Sequence, residues 1–360
     1  MRRFLILVSV LFGMLIGAPV IAADYNKGLI AAHKGDYVTT LNEWQPLADQ
    51  GNADAQYGLG VLNYDGTGVP QDYGQALRWY TLAAEQGHLW AQYNLGVMFE
   101  LGKGTPQDFE QVLKWHSRAA AQGLANSQHN LGAMYERGLG VPKDLTGAAK
   151  WYALAAEQGF AKSQYNLGVL YYTGRGVSQN SRTAVKWYSL AAEQGIADAQ
   201  HNLGAMYGSG KGVSQDYKTA LKWYSLAAEQ GLAKSQTNLG VMFEKGQGVS
   251  QDYLQAVKLY TKAAEQGHAR AQRYLGLAFL EGKGIHKNYD QVLKWFTLAA
   301  EQGDADSQNN LGVMYKKGIG VPQDYEQAIE WLTRAAKQGH ARAKENLRKI
   351  SKEREGIQKG

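Results

Sequence analysis

The sequence predicts an all-α fold, a solenoid of antiparallel helix pairs, on three observations. The first is a 36-residue period. The stretch 196–231, IADAQHNLGAMYGSGKGVSQDYKTALKWYSLAAEQG, recurs without a gap in eight copies that begin at Asn52, His88, Leu124, Phe160, Ile196, Leu232, His268 and Asp304, the last ending at Gly339. Such a period marks stacked supersecondary units rather than one globular core. The second is helical spacing of apolar residues, found twice in every copy. The third is punctuation between the two segments by a Gly-x-Gly loop and a capping residue.

Taken in order, residues 1–22 read as a secretory signal. Arg2 and Arg3 precede an apolar run from Phe4 to Ile16, and Val20-Ile21-Ala22 offers small residues for cleavage after Ala22. Removal of this leader leaves no membrane span and places the chain in the periplasm or outside the cell. Cysteine is absent, so there is no lipid attachment point, disulfide framework or thiolate chemistry.

Residues 23–51 form a degenerate capping repeat. Gly35-Asp36-Tyr37 and Leu47 to Gly51 echo later copies, but the inter-helix loop is missing, and Pro46 is expected to kink or shorten the second helix.

The eight full repeats occupy 52–339. In helix A of the second copy, Ala91, Leu95, Met98 and Phe99 share one face, and the helix stops at the first loop glycine. Helix B opens on Asp or Asn in every copy (Asp72, Asp108, Asp144, Asn180, Asp216, Asp252, Asn288, Asp324), and Gln three residues later in five copies suggests a capping box. Ala76, Trp79, Tyr80, Ala83 and Ala84 then mark its buried face. The Ala pairs permit close helix approach, and the Trp is expected to fill the core. Residues 340–360 read as a capping helix with a basic tail.

These motifs, from A-[DK]-[AS]-Q-[YH]-N-L-G through the loop glycines to W-Y-x-x-A-A-x-Q-G, resemble the Sel1-like repeat family, relatives of tetratricopeptide repeats. The resemblance implies a right-handed superhelix with helix A lining the concave side. It further implies a monomeric scaffold that binds a protein, in secreted bacterial members often at the cell envelope or against a host. Some secreted members are linked to β-lactam binding, but those carry paired cysteines in each repeat, and this chain has none.

The candidate site lies on helix A. Asn94, Asn130, Asn166, Asn202, Asn238 and Asn310 share one position, which by analogy with tetratricopeptide repeats faces the groove. An amide carries donor and acceptor, so a ladder of them could read a peptide backbone; the alternative is that the ladder fixes helix stacking. The preceding residue is aromatic early in the chain (Tyr57, Tyr93, His129, Tyr165, His201) and polar later, and Trp90 replaces a polar residue as a candidate hot spot.

Other chemistry is poorly supplied. Gly208 to Gly212 lacks the strand, spacing and hydroxyl of a phosphate loop. The eight histidines show no metal spacing, and no paired catalytic carboxylates or nucleophile motif occurs. No catalytic residue, metal or cofactor is therefore assigned. Net charge is +6, yet residues 23–339 hold 29 basic and 29 acidic residues, without the basic excess of a nucleic-acid binder. The reading is an exported protein- or peptide-binding scaffold. The alternatives are an envelope component that binds polysaccharide or peptidoglycan, and a β-lactamase-like hydrolase.

Overall fold

The computed structural model describes residues 23–357, and side chains as far as Glu353. The leader and its cleavage site lie outside the described residues. Nineteen helices and no strand are present among them. The fold is an all-α solenoid of helix pairs.

The A helices are Ala53–Asp65, Leu89–Leu101, Ala125–Arg137, Ala161–Thr173, Ala197–Ser209, Ala233–Lys245, Ala269–Glu281 and Ala305–Lys317. The B helices are Tyr73–Glu85, Phe109–Ala121, Leu145–Glu157, Ser181–Glu193, Tyr217–Glu229, Tyr253–Glu265, Tyr289–Glu301 and Tyr325–Lys337. Two compact units are formed, one from residues up to 134 with 138–142, the other from 135–137 and 143 onward. Within the first unit, A helix Ala53–Asp65 packs on its own B helix, and that B helix on A helix Leu89–Leu101. The second unit repeats this order to its end.

Local chemistry explains each boundary. The first loop glycine takes a left-handed φ of 66° to 75° at every A-helix C-terminus, a conformation that costs other residues energy. The second loop glycine is held by close approach: a Cβ on Gly104 would lie 2.4 Å from the Tyr73 carbonyl oxygen of the preceding repeat.

Every B-helix cap side chain accepts a hydrogen bond from the first turn, as at Asp216, which accepts from Lys218 N and Thr219 N. The reciprocal half of the capping box does not form. The cap's own N–H donates instead to helix A, Asp216 N to the Tyr207 carbonyl at 2.9 Å, so Gln three residues on has no orphan donor to satisfy.

Pro46 also departs from expectation. Its helix, Tyr37–Asp49, keeps 13 residues with the proline inside it. Pro46 sits in the last turn, where the missing N–H costs one hydrogen bond to an exposed segment.

Tyrosine, rather than tryptophan, fills the deepest position of helix B. Tyr80, Tyr152, Tyr188 and Tyr260 are at most 2 % exposed. Trp79, Trp151, Trp187, Trp223 and Trp331 are half-buried, and several pack back onto the preceding repeat's cluster, as Trp223 does beside Tyr188 and Leu203. A cation covers the outer side of many, such as Lys222 at 5.1 Å from the Trp223 ring.

Helix Ala341–Ile357 closes the chain, with Ala343 and Ile350 buried against Ala328 and Leu332.

Candidate binding face of the A helices

Two glutamines per repeat position everything else. The fourth residue of each A helix is a buried glutamine. Gln200 is 4 % exposed, donates to the Ala192 carbonyl at 3.1 Å, and accepts at 2.8 Å from Gln230, 30 residues later. Gln230 also donates to the Gly195 carbonyl at 3.0 Å. The same pairing joins Gln56 to Gln86 and Gln92 to Gln122 in the first unit. In the second it joins Gln164 to Gln194, Gln236 to Gln266, Gln272 to Gln302 and Gln308 to Gln338. Each amide satisfies a carbonyl at the end of one B helix and anchors the end of the next. Sequence reasoning missed this relay, taking the second glutamine only as part of the repeat motif. The signal was present, since both amides recur in all eight copies.

With one A-helix face committed to this relay and to the core, a half-buried stripe remains that holds the asparagines and most of the residues before them, although Thr237 and Asn309 at that position are buried. Tyr57 stacks on His88 at 4.5 Å and lies 5.8 Å from Tyr80. Tyr93 meets His116 at 5.6 Å, and Trp90 meets Tyr93 edge-on at 6.0 Å. In the second unit Tyr165 lies over Tyr188, and His201 over Tyr224, at 6.0 Å and 5.5 Å. His129 is half-buried as well, and Trp90 is 45 % exposed.

The asparagine amides point across repeats. Asn94 lies beside the Tyr57 and Tyr80 hydroxyls, Asn202 beside those of Tyr165 and Tyr188, Asn166 beside Tyr152, and Asn238 beside Tyr224. Asn130 meets His116 Nε2 at 3.2 Å. Burial pushes these phenols up, and the amides offset part of that rise. Phe296 stands where five other copies have tyrosine, so Asn310 has no such hydroxyl.

His116 occupies the tyrosine position of its repeat and is fully buried between Ser127 and Asn130. Burial holds its imidazole down to about 4, against an ordinary 6.5. The unfolded chain takes up a proton near 6.5 while the folded chain stays neutral, so stability is complete above that pH. It declines as pH falls toward 4, by about 3 kcal/mol for this group. His116→Tyr should remove that portion of the acid sensitivity, read as the difference in urea midpoints between pH 7 and pH 4.5. An unchanged difference would show that His116 is charged in the fold.

Helix pairs of one length, stacked in register and tied by amides to their neighbours, make a helical-repeat scaffold, in which each unit is stable through the next. Specifically, the chain belongs to the Sel1 repeat family, whose profile matches residues 53–88, 91–124, 125–160, 161–196, 197–232, 233–268, 269–304 and 305–340. Among solved structures it is similar to c5321, a protective antigen of uropathogenic Escherichia coli strains displaying an SLR fold. Identity is 40%, the TM-score is 0.78, and the match covers 85% of this chain and 66% of that one. A Sel1 repeat protein from Oxalobacter formigenes matches at 35% identity and TM-score 0.62, over 68% of this chain and 96% of its own. No curated protein matches the chain. Proteins built from this repeat commonly serve as non-enzymatic interaction scaffolds.

Proposed function

We propose that the chain is an exported scaffold that holds a partner protein as an extended segment against the half-buried stripe of its A helices. One observation carries the reading: the stripe varies between copies while the relay, caps and Ala pairs do not. Tyr57, Tyr93, His129, Tyr165 and His201 give way to Thr237, Arg273 and Asn309 at one position. Shared positions meet the needs of stacking, so recognition is left to those that differ. Aromatic rings with one polar tip, beside amides, suit a peptide that needs both apolar contact and backbone hydrogen bonds. The leader at 1–22 supports export, and the E. coli relative's description as a protective antigen agrees with an exposed position.

Asn166→Ala with Asn202→Ala should weaken capture of an extended peptide about tenfold. The cost in stability is about 1 kcal/mol per amide through the lost tyrosine contact. Binding is therefore compared well below the unfolding transition. Unchanged affinity would assign the asparagines to stacking alone.

The exposure of Trp90 beside Tyr93 favours a second reading, stacking on a sugar ring of envelope glycan. Retention on peptidoglycan strands that is lost in Trp90→Ala would support it, and retention unaffected by that change would remove it.

A further inference from the structure

Three copies differ in one detail beneath the buried B-helix tyrosine. The twelfth A-helix residue faces that tyrosine within its own repeat. In the third copy it is Glu136, whose Oε2 accepts from the Tyr152 hydroxyl at 2.9 Å. In the sixth it is Glu244, accepting from Tyr260 at 2.5 Å. In the fifth it is Gly208, and the equivalent Tyr224 has no carboxylate. An open hollow of about 340 Å³ takes its place, lined by Ala205, Gly208, Tyr224, Asn238, Val241 and Arg270 among others.

The hollow's polar groups are arranged for an anion. Arg270 Nη1 donates to Asn238 Oδ1 at 3.1 Å, and the guanidinium lies near the Tyr274 hydroxyl and ring. No carboxylate pairs with it within 4.0 Å among the described residues. The Tyr224 phenol, raised by burial, is drawn down by Asn238 and by the Arg270 charge. A hydroxyl donor and an unpaired guanidinium therefore converge where three other copies hold a glutamate, Glu100, Glu136 and Glu244. The glutamate of the next copy, Glu244, is committed to Tyr260.

We propose that this hollow receives an acidic side chain of an extended peptide partner, whose carboxylate takes the place beside Tyr224 that Glu136 and Glu244 fill beside Tyr152 and Tyr260. Arg270 supplies the charge, and Tyr224 a hydrogen bond. The assignment rests on the peptide-binding reading above. It adds to that reading the kind of residue the partner must present.

Gly208 makes the test clean. A Cβ there would meet only Ala220 Cβ, at 3.7 Å, so larger residues fit. C-terminally amidated hexaglutamate and hexaglutamine, in which side chains hold the only carboxylates, are titrated calorimetrically into the full chain at low salt. Hexaglutamate should bind at least about tenfold more tightly. Gly208→Glu, which supplies the carboxylate internally, should abolish that preference. Gly208→Ala should keep it, and Arg270→Gln should lose most of it. If Gly208→Glu fails to fold by circular dichroism, Arg270→Gln decides. A preference that survives both Gly208→Glu and Arg270→Gln places the acid elsewhere, for instance on the basic helix Ala341–Ile357, and overturns the proposal. Equal binding of the two peptides, weakened by Asn202→Ala, overturns the carboxylate site but keeps the peptide reading. Binding of neither peptide overturns both.

Discussion

Gln200→Leu is expected to destabilise the second unit by about 1–3 kcal/mol, although leucine is of similar size and more apolar. The substitution removes two hydrogen bonds, to the Ala192 carbonyl and from the Gln230 amide, each contributing about 0.5–1.5 kcal/mol, while the carbonyl keeps the Gly195 N–H and the Gln230 amide keeps the Gly195 carbonyl. Changing Gln230 to leucine as well should cost less than the sum of the two single changes, because the bond between the two amides is lost in either one. Urea unfolding followed by circular dichroism measures the totals. Amide exchange in helices Ser181–Glu193 and Ala197–Ser209 locates the loss, since solenoid stability is carried by neighbouring interfaces. Strict additivity would mean that the two glutamines act independently and that no relay exists.

The second large effect has opposite signs at two glycines. Gly168 and Gly208 both lie inside A helices, where alanine is intrinsically better by about 1 kcal/mol. At Gly168 a Cβ would sit 2.7 Å from Cδ1 of Tyr188, whose ring is 2 % exposed and has no room to retreat. Overpacking of about 1–3 kcal/mol should outweigh the helical gain, so Gly168→Ala is expected to destabilise. Gly208→Ala makes only an ordinary contact with Ala220 Cβ, at 3.7 Å, and should stabilise by about 1 kcal/mol. Matching changes of unfolding midpoint at the two sites would contradict the packing account.

Much of this architecture is legible in the sequence, and the limits have physical causes. A fixed period, left-handed glycines and Asp or Asn at each B-helix start are local signals, and each has a local mechanism. The glutamine relay is not local. It joins residues 30 positions apart, and a lone polar residue on an apolar face reads as surface until its partner is seen. The capping box failed for the same reason, because the cap's N–H finds its acceptor on helix A, a partner no dipeptide pattern reveals. The helix-interior glycine at Gly168 and its equivalents carries no meaning in one dimension. It exists because the Tyr188 ring lies against its Cα.

The candidate stripe was legible by position and illegible by role. Counting asparagines identifies the ladder, but only geometry shows that Asn202 lies beside Tyr188 of the preceding repeat, so that stacking and recognition draw on one amide. The hollow at Gly208 needed both steps. Comparison of copies shows a glycine where Glu136 and Glu244 stand, and the structure shows that this position faces a buried phenol.

The central claim is that positions shared by all copies hold the solenoid together, whereas those that vary along the A helices recognise the partner. Selection of random extended peptides on the immobilised chain, with each selected peptide then titrated against Tyr165→Ala, Asn202→Ala and Arg270→Gln, tests it most directly. The account predicts that selected peptides are acidic and lose about tenfold or more in affinity on at least two of these variants, all three remaining folded. Peptides that bind all three variants as tightly as the unaltered chain would contradict it.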